Sequence, residues 1–207
     1  ALSMWLLGGP ESNLFYSATS IYAFLASLVF YGGINLLKKK EYHISAGMLA
    51  ALLMAIVMFG LVSIFTSGTK LGSLAAASGR DATLTGRTEV WESLKPAVMK
   101  RPIFGGGFGV FWTPERRDIY KISGAHNGYL DVLLGLGFAG ILLILGFLIS
   151  SIKRAHGELD NDFDWGVLCI CFIIMAAVHN MGESSIDSLT SHLTATILFM
   201  SASFVKL

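Results

Sequence analysis

GRTEVWESLKPAVMKRPIFGGGFGVFWTPERRDIYKISGAHNGYLD, residues 86–131, is the core of the one long polar excursion in an otherwise apolar chain. It holds an arginine at the expected start of a helix (Arg87), a glycine cluster (Gly105, Gly106, Gly107, Gly109) and a histidine–asparagine pair (His126, Asn127). Its flanks decide the fold. Residues 14–37 and 44–66 before it carry no charge, and residues 129–152 after it carry only Asp131. Each is long enough to cross a bilayer, which takes about 20 apolar residues. Residues 165–181 and the shorter 193–205 supply two more apolar stretches. The expected fold is an all-α integral membrane protein of about five transmembrane helices, with one large loop at about 67–128 containing short amphipathic helices. The spans form a single domain over residues 1–207. The chain begins with Ala in mid-pattern, without a signal peptide, and reads as the C-terminal part of a longer protein.

Composition agrees. The chain is 54% hydrophobic and 14% charged, with mean hydropathy +0.64, whereas a soluble domain is nearer a quarter charged. The net charge of +1, with no alternation of basic and aromatic residues, argues against nucleic acid. Cys169 and Cys171 lie two apart in an apolar stretch and face different directions on a helix, so they read as buried thiols. No His/Cys/carboxylate cluster has the spacing of a zinc site, and no metal or other cofactor is expected.

Orientation follows from the lysines. Lys38-Lys39-Lys40 separate the first two spans and Lys153-Arg154 follow the third, so these turns are expected on the cytoplasmic side. The polar loop then lies outside. It carries nine of the fifteen Lys/Arg, but loops of that length are largely exempt from the rule.

Within the loop, Val90, Leu94 and Ala97/Val98 recur at helical spacing from Arg87 onward. The expected amphipathic helix lies on the outer leaflet with Trp91 at headgroup level. Pro96 should kink it and Pro102 end it. If Gly86 is the cap, Arg87 and the free N–H groups of residues 87–89 converge on one anion, as suits a phosphate or diphosphate. On residue type alone, pairing of Arg87 with Glu89, Glu92 or lipid headgroups is the favoured account. His126, where the loop meets the third span, has the side chain best suited to proton transfer near neutral pH. Taken alone it reads first as an interfacial polar residue that caps the helix with Asn127. The glycine cluster is neither a Walker motif nor a dinucleotide fingerprint. A tight turn and a ligand contact through Gly105 and Gly107 fit it equally. Glu183, at the outer end of the fourth span, faces the same side as His126, and on its own reads first as a solvated carboxylate at a helix end. Asp131 should face protein or a wet cavity.

Taken jointly, Gly86-Arg87-x-x-x-Trp91, Arg101-Pro102-Ile103-Phe104-Gly105-x-Gly107-x-Gly109-x-Phe111, His126-Asn127-x-Tyr129-Leu130 and Gly135-x-Gly137-x-x-Gly140 resemble the signature of the O-antigen ligase and polymerase superfamily, integral membrane glycosyltransferases of the bacterial envelope. The resemblance implies a multi-pass protein of the bacterial inner (cytoplasmic) membrane with a large periplasmic loop. It implies an undecaprenyl-diphosphate-linked glycan as donor and a glycan or lipid A-core hydroxyl as acceptor, with no metal or nucleotide. The family's loop arginine maps to Arg87 and its loop histidine to His126. Many members carry Ser-Arg before the first of these spans, where this chain has Ser12-Asn13. Arg80, Arg101 and Arg116 are the candidates to replace that arginine at the diphosphate. Expected site residues are thus His126, Arg87 and Glu183 for catalysis, and Arg80, Arg101, Arg116, Gly105, Gly107 and Asn127 for substrate. The rival expectation is a non-enzymatic transporter or flippase that only binds the anionic lipid. Such a carrier should place ionisable residues at mid-membrane, whereas here they gather at one face.

Overall fold

The computed structural model of the chain describes residues 18–66 and 82–186, with residues 194, 195, 197, 198 and 200. Six helices are delineated: α1 (Ala18–Lys39), α2 (Ala46–Thr66), α3 (Ala82–Lys100), α4 (Pro114–Tyr120), α5 (Gly128–Glu158) and α6 (Phe163–His179). No strand occurs among the described residues. Three helices, α1, α2 and α5, are long and apolar enough to cross a membrane, and α6 is a shorter apolar helix. The expected span at 193–205 falls mostly outside the described residues, and those of it that are described are helical.

α6 is the centre of the bundle. It packs against α1 on one side and α5 on the other, while α2 lies mainly on α5. Its sequence explains the position: Cys169, Ile170, Ile173, Ile174 and Ala177 are all buried, so it is apolar around most of its circumference. Asp162 caps its start, the carboxylate accepting from the Trp165 amide at 3.0 Å. α1 and α2 leave Val29, Phe59, Met58 and Val62 exposed, the surface a helix presents to lipid rather than to water. At the lysine end, His156 bonds the Ile44 carbonyl at 2.7 Å. This histidine lies within α5, which runs on to Glu158 rather than giving way to a linker after residue 152.

The apolar core has two parts. One, at the lysine end, joins Leu49, Leu53, Leu148, Ile152 and Ile170. The other, at the loop end, joins Val57, Ile64, Trp91, Leu94, Tyr129 and Leu133. α3 therefore turns its apolar face inward against α2 and α5. Trp91 is not at a headgroup surface but buried, donating to the Ala125 carbonyl at 2.9 Å. The periodicity of Val90, Leu94 and Val98 made the helix; packing against protein, not lipid, uses it.

α5 is broken in mid-course. Gly137 has φ 63° and ψ −160°, outside the helical region and open to glycine at little cost. The two halves are folded sharply on each other: a Cβ on Gly140 would lie 3.0 Å from the Cγ1 of Val132. Along a straight helix those residues would be about 12 Å apart in height. The glycine-rich turn is spliced into this break. Gly106 and Gly107 donate to the carbonyls of Leu134 and Gly135 at 2.8 and 2.7 Å, and Phe138 and Ala139 donate to those of Pro102 and Ile103 at 2.8 and 3.0 Å. These four bonds satisfy the groups that the break removes from the helix ladder.

Candidate functional site

Three side chains from three separate elements meet at the loop end. Arg87 comes from α3, His126 from the residue pair that opens α5, and Glu183 from the turn after α6. One guanidinium nitrogen of Arg87 donates to Glu183 Oε1 at 3.1 Å, and the other to the Gly182 carbonyl at 2.6 Å. The second carboxylate oxygen of Glu183, Oε2, stands 3.5 Å from His126 Nδ1. A single carboxylate is thus shared between an arginine and a histidine. Arg87 and Glu183 are each 27% exposed and His126 44%, so the cluster is reachable but shielded.

Each of the three is held in place. Arg87 lies within α3, which begins at Ala82, not at Gly86. The amides of residues 87–89 are therefore inside the helix and committed to its ladder, and the expected anion nest at a helix start does not form. The guanidinium alone faces the site. His126 has φ 49°, a left-handed conformation that costs a non-glycine residue about 1–2 kcal/mol. The surrounding structure enforces it. Asn127 caps α5, its side-chain oxygen accepting from Leu130 at 3.1 Å while its amide donates to the Met181 carbonyl at 3.0 Å. Glu183 is carried on a turn whose amide bonds the His179 carbonyl at 3.0 Å.

The turn itself is clamped to α5 by Asn180, which is buried. Its side chain accepts from the amides of Ser185 and Ile186, both at 3.0 Å, and donates to the Ala176 carbonyl at 2.8 Å and the Ser185 hydroxyl at 2.9 Å. The Gly128 amide in turn reaches the carbonyls of Asn180 and Glu183 at 2.9 and 3.2 Å. Below this clamp Tyr129 donates to the Ala177 carbonyl at 2.6 Å. Asp131 faces protein. It accepts from Trp112 Nε1 at 2.6 Å, from the Ala125 amide at 3.3 Å and from the Ser184 hydroxyl, so it ties the loop to the turn bearing Glu183. A cavity of about 220 Å³ lies beside it, walled by Phe108, Phe111, Trp112, Val132 and Leu136. With Asp131 already bonded, that cavity offers little polar recognition.

The other expected residues are differently used. Asn127 is fully buried with both ends of its amide bonded, so it shapes the site from beneath. The amides of Gly105 and Gly107 go to the carbonyls of Arg101 and Gly135, so these glycines serve close backbone approach to α5. Arg116 lies over the Phe111 ring at 4.6 Å and donates to the Phe111 carbonyl at 2.9 Å, bracing the loop. Nearby, α4 starts at the Thr113 cap. The carboxyl of Glu115 is held below the usual range there by its own backbone amide and the Thr113 hydroxyl. Arg101 is exposed and stands at the glycine turn. Arg80 and the Ser12-Asn13 pair lie outside the described residues. His179, which sequence reasoning passed over, adds to the site's floor: its Nε2 lies 3.3 Å from the Ser20 hydroxyl, linking α6 to the start of α1. Its place four residues before Glu183 was the available signal. Among the described residues, no group of three or more His, Cys, Asp or Glu side chains is placed to hold a metal.

Part of this site falls within one continuous match, while Gly182 and Glu183 lie beyond its end. The family model described as O-Antigen ligase matches residues 13–145, which covers Arg87, His126 and the glycine turn. The chain belongs to the O-antigen ligase family. It is similar to the exopolysaccharide production protein ExoQ of Rhizobium meliloti (strain 1021), with 29% identity over 171 residues, 73% of this chain and 38% of that protein. The chain thus spans well under half the length of the curated relative it matches. No solved structure matches it. This member of the O-antigen ligase family is a multi-pass membrane protein.

Proposed function

We propose that this protein transfers a glycan from an undecaprenyl-diphosphate-linked donor to a sugar hydroxyl, as an O-antigen ligase or polysaccharide polymerase, with inversion at the anomeric carbon. The loop end faces the periplasm and the lysine end the cytoplasm. The observation that carries the reading is the shared carboxylate: Glu183 between Arg87 at 3.1 Å and His126 at 3.5 Å.

In this mechanism Glu183 holds His126 by Nδ1, which turns Nε2 to the acceptor. Nε2 takes the proton as the hydroxyl oxygen attacks the anomeric carbon. The bond from that carbon to the diphosphate oxygen breaks on the opposite face, and the polyprenyl diphosphate leaves with the electron pair. Arg87 has donors beyond the two used within the protein, and its planar fork matches the leaving diphosphate. Glu183 therefore orients the base instead of acting as one, the role a third group plays wherever a histidine is aimed at a hydroxyl. A positioned base contributes about 10²–10⁴ in rate.

His126→Ala and His126→Gln test this in the full-length protein, with donor binding and glycan transfer measured on the same samples. Alanine should abolish turnover while donor binding largely survives. Glutamine keeps a hydrogen bond but cannot accept a proton at neutral pH, so it should be nearly as inactive. Wild-type transfer by His126→Ala would refute the assignment. A carrier would show no turnover in any variant, wild type included.

A further inference from the structure

We propose that the turn from Pro102 to Val110 is itself a membrane-inserting element, with its apolar side chains among lipid acyl chains and Lys100 and Arg101 at the headgroup phosphates. The turn belongs to the polar loop, and the length and charge of that loop place it in water. Its geometry says otherwise.

Four large apolar side chains on this turn are exposed: Ile103 is 62% exposed, Phe104 76%, Phe108 57%, the last also bordering the cavity beside Asp131, and Val110 57%. Met99, just before it, is 65% exposed. So dense an exposed apolar cluster on a short segment marks a contact surface, not a solvated loop. Its position identifies the occupant. The carbonyls of Pro102 and Ile103 bond the amides of Phe138 and Ala139, the first residues of α5 below the break. From there α5 continues with Phe138, Leu142 and Leu143 at 44%, 69% and 73% exposure, the face that a membrane-crossing helix turns to lipid. The turn's apolar surface is continuous with that face, so the acyl chains that cover one cover the other.

Two further features fit. Irregular backbone tolerates an apolar medium only when its polar groups are bonded within the protein. Here the amides of Gly105, Gly106 and Gly107 and the carbonyls of Pro102 and Ile103 are all bonded. Lys100 and Arg101, both exposed, directly precede the apolar cluster. Long basic side chains beside an inserted apolar segment reach back to headgroup phosphates.

The test uses the full-length protein with Cys169→Ala and Cys171→Ala, and a single environment-sensitive NBD label at Phe104→Cys. Leu143→Cys serves as the lipid control and Asp118→Cys as the water control. Each is reconstituted in phosphatidylcholine–phosphatidylglycerol vesicles, with quencher either as a nitroxide on the upper acyl chain or as iodide in the water. At position 104 the emission should shift to the blue and respond to the nitroxide as at position 143, with iodide having little effect. Iodide quenching equal to that at position 118 would overturn the proposal. Protection from both quenchers would overturn it too, since a protein partner or a second copy would then cover the turn. Phe108→Cys repeats the measurement, so one poorly folded variant does not decide the result.

Discussion

Replacing Gly128 by alanine should be among the most damaging small substitutions in this chain. A Cβ there would stand 2.0 Å from Asn180 Oδ1 and 2.8 Å from its Cγ, with both neighbours in the protein interior. Asn180 cannot yield without giving up bonds. Its side chain makes four, to Ala176, Ser185 twice and Ile186. Losing two or three of them costs about 0.5–1.5 kcal/mol each. Overpacking adds about 1–3 kcal/mol. The expected loss is therefore about 3–5 kcal/mol, a fall in melting temperature on the order of 10 °C. Cys169 and Cys171 are both buried and provide the assay, since a thiol-reactive fluorophore reaches them only as the detergent-solubilised full-length protein unfolds. The decisive comparison is with Asn180→Ala, alone and combined with Gly128→Ala. Truncating Asn180 removes the bonds but also the clash, so the double variant should melt close to Asn180→Ala alone. Neighbours that share one contact are non-additive in this way. If the two losses simply add, or if Gly128→Ala melts like wild type, the clamp as described is wrong.

Arg87→Lys keeps the charge but loses the planar fork, and should cause a large loss of glycan transfer at unchanged protein level; near-normal transfer would show that the fork is not used. Glu183→Gln keeps the shape of the turn but removes the shared negative charge. Transfer should fall by about 10²-fold or more, with donor binding retained, and a turnover close to wild type would remove Glu183 from the mechanism. For orientation, a cysteine at Ser123 should react with an impermeant thiol reagent applied from the periplasm and one at Lys39 should not; both positions are exposed. The opposite pattern would put the loop end in the cytoplasm.

The membrane class and the positions of α1, α2, α5 and α6 were legible because uncharged length is a strong local signal, visible in residues 44–66 without reference to anything else. Residue type alone favoured a structural role for Arg87, His126 and Glu183, and it was the spaced motifs taken jointly that drew out Arg87 and His126. The meeting of all three could not be read, because it depends on how α3 packs. The start of α3 at Ala82 was hidden by a small polar segment with no periodic apolar residues to announce a helix. The break at Gly137 had a sequence trace in Gly135-x-Gly137, but its cause lies some thirty residues earlier, in the carbonyls of Pro102 and Ile103. Asn180 looked like any polar residue at a helix end. Only the absence of a side chain on Gly128, across the gap, gives it its function.

The splice between the glycine turn and α5 has a bearing on how the chain is assembled. Residues 102–107 leave the ribosome before residues 134–139, so the turn has no partner for its amides when it first appears. It must stay hydrated until α5 arrives. α5, for its part, cannot settle in lipid with a gap in its ladder at Gly137 unless the turn is there to fill it. Insertion of that helix and closure of the loop are thus one event. A deletion or insertion between residues 108 and 133 that keeps the turn from reaching the break should stall the helix at the translocation stage, before any question of catalysis arises.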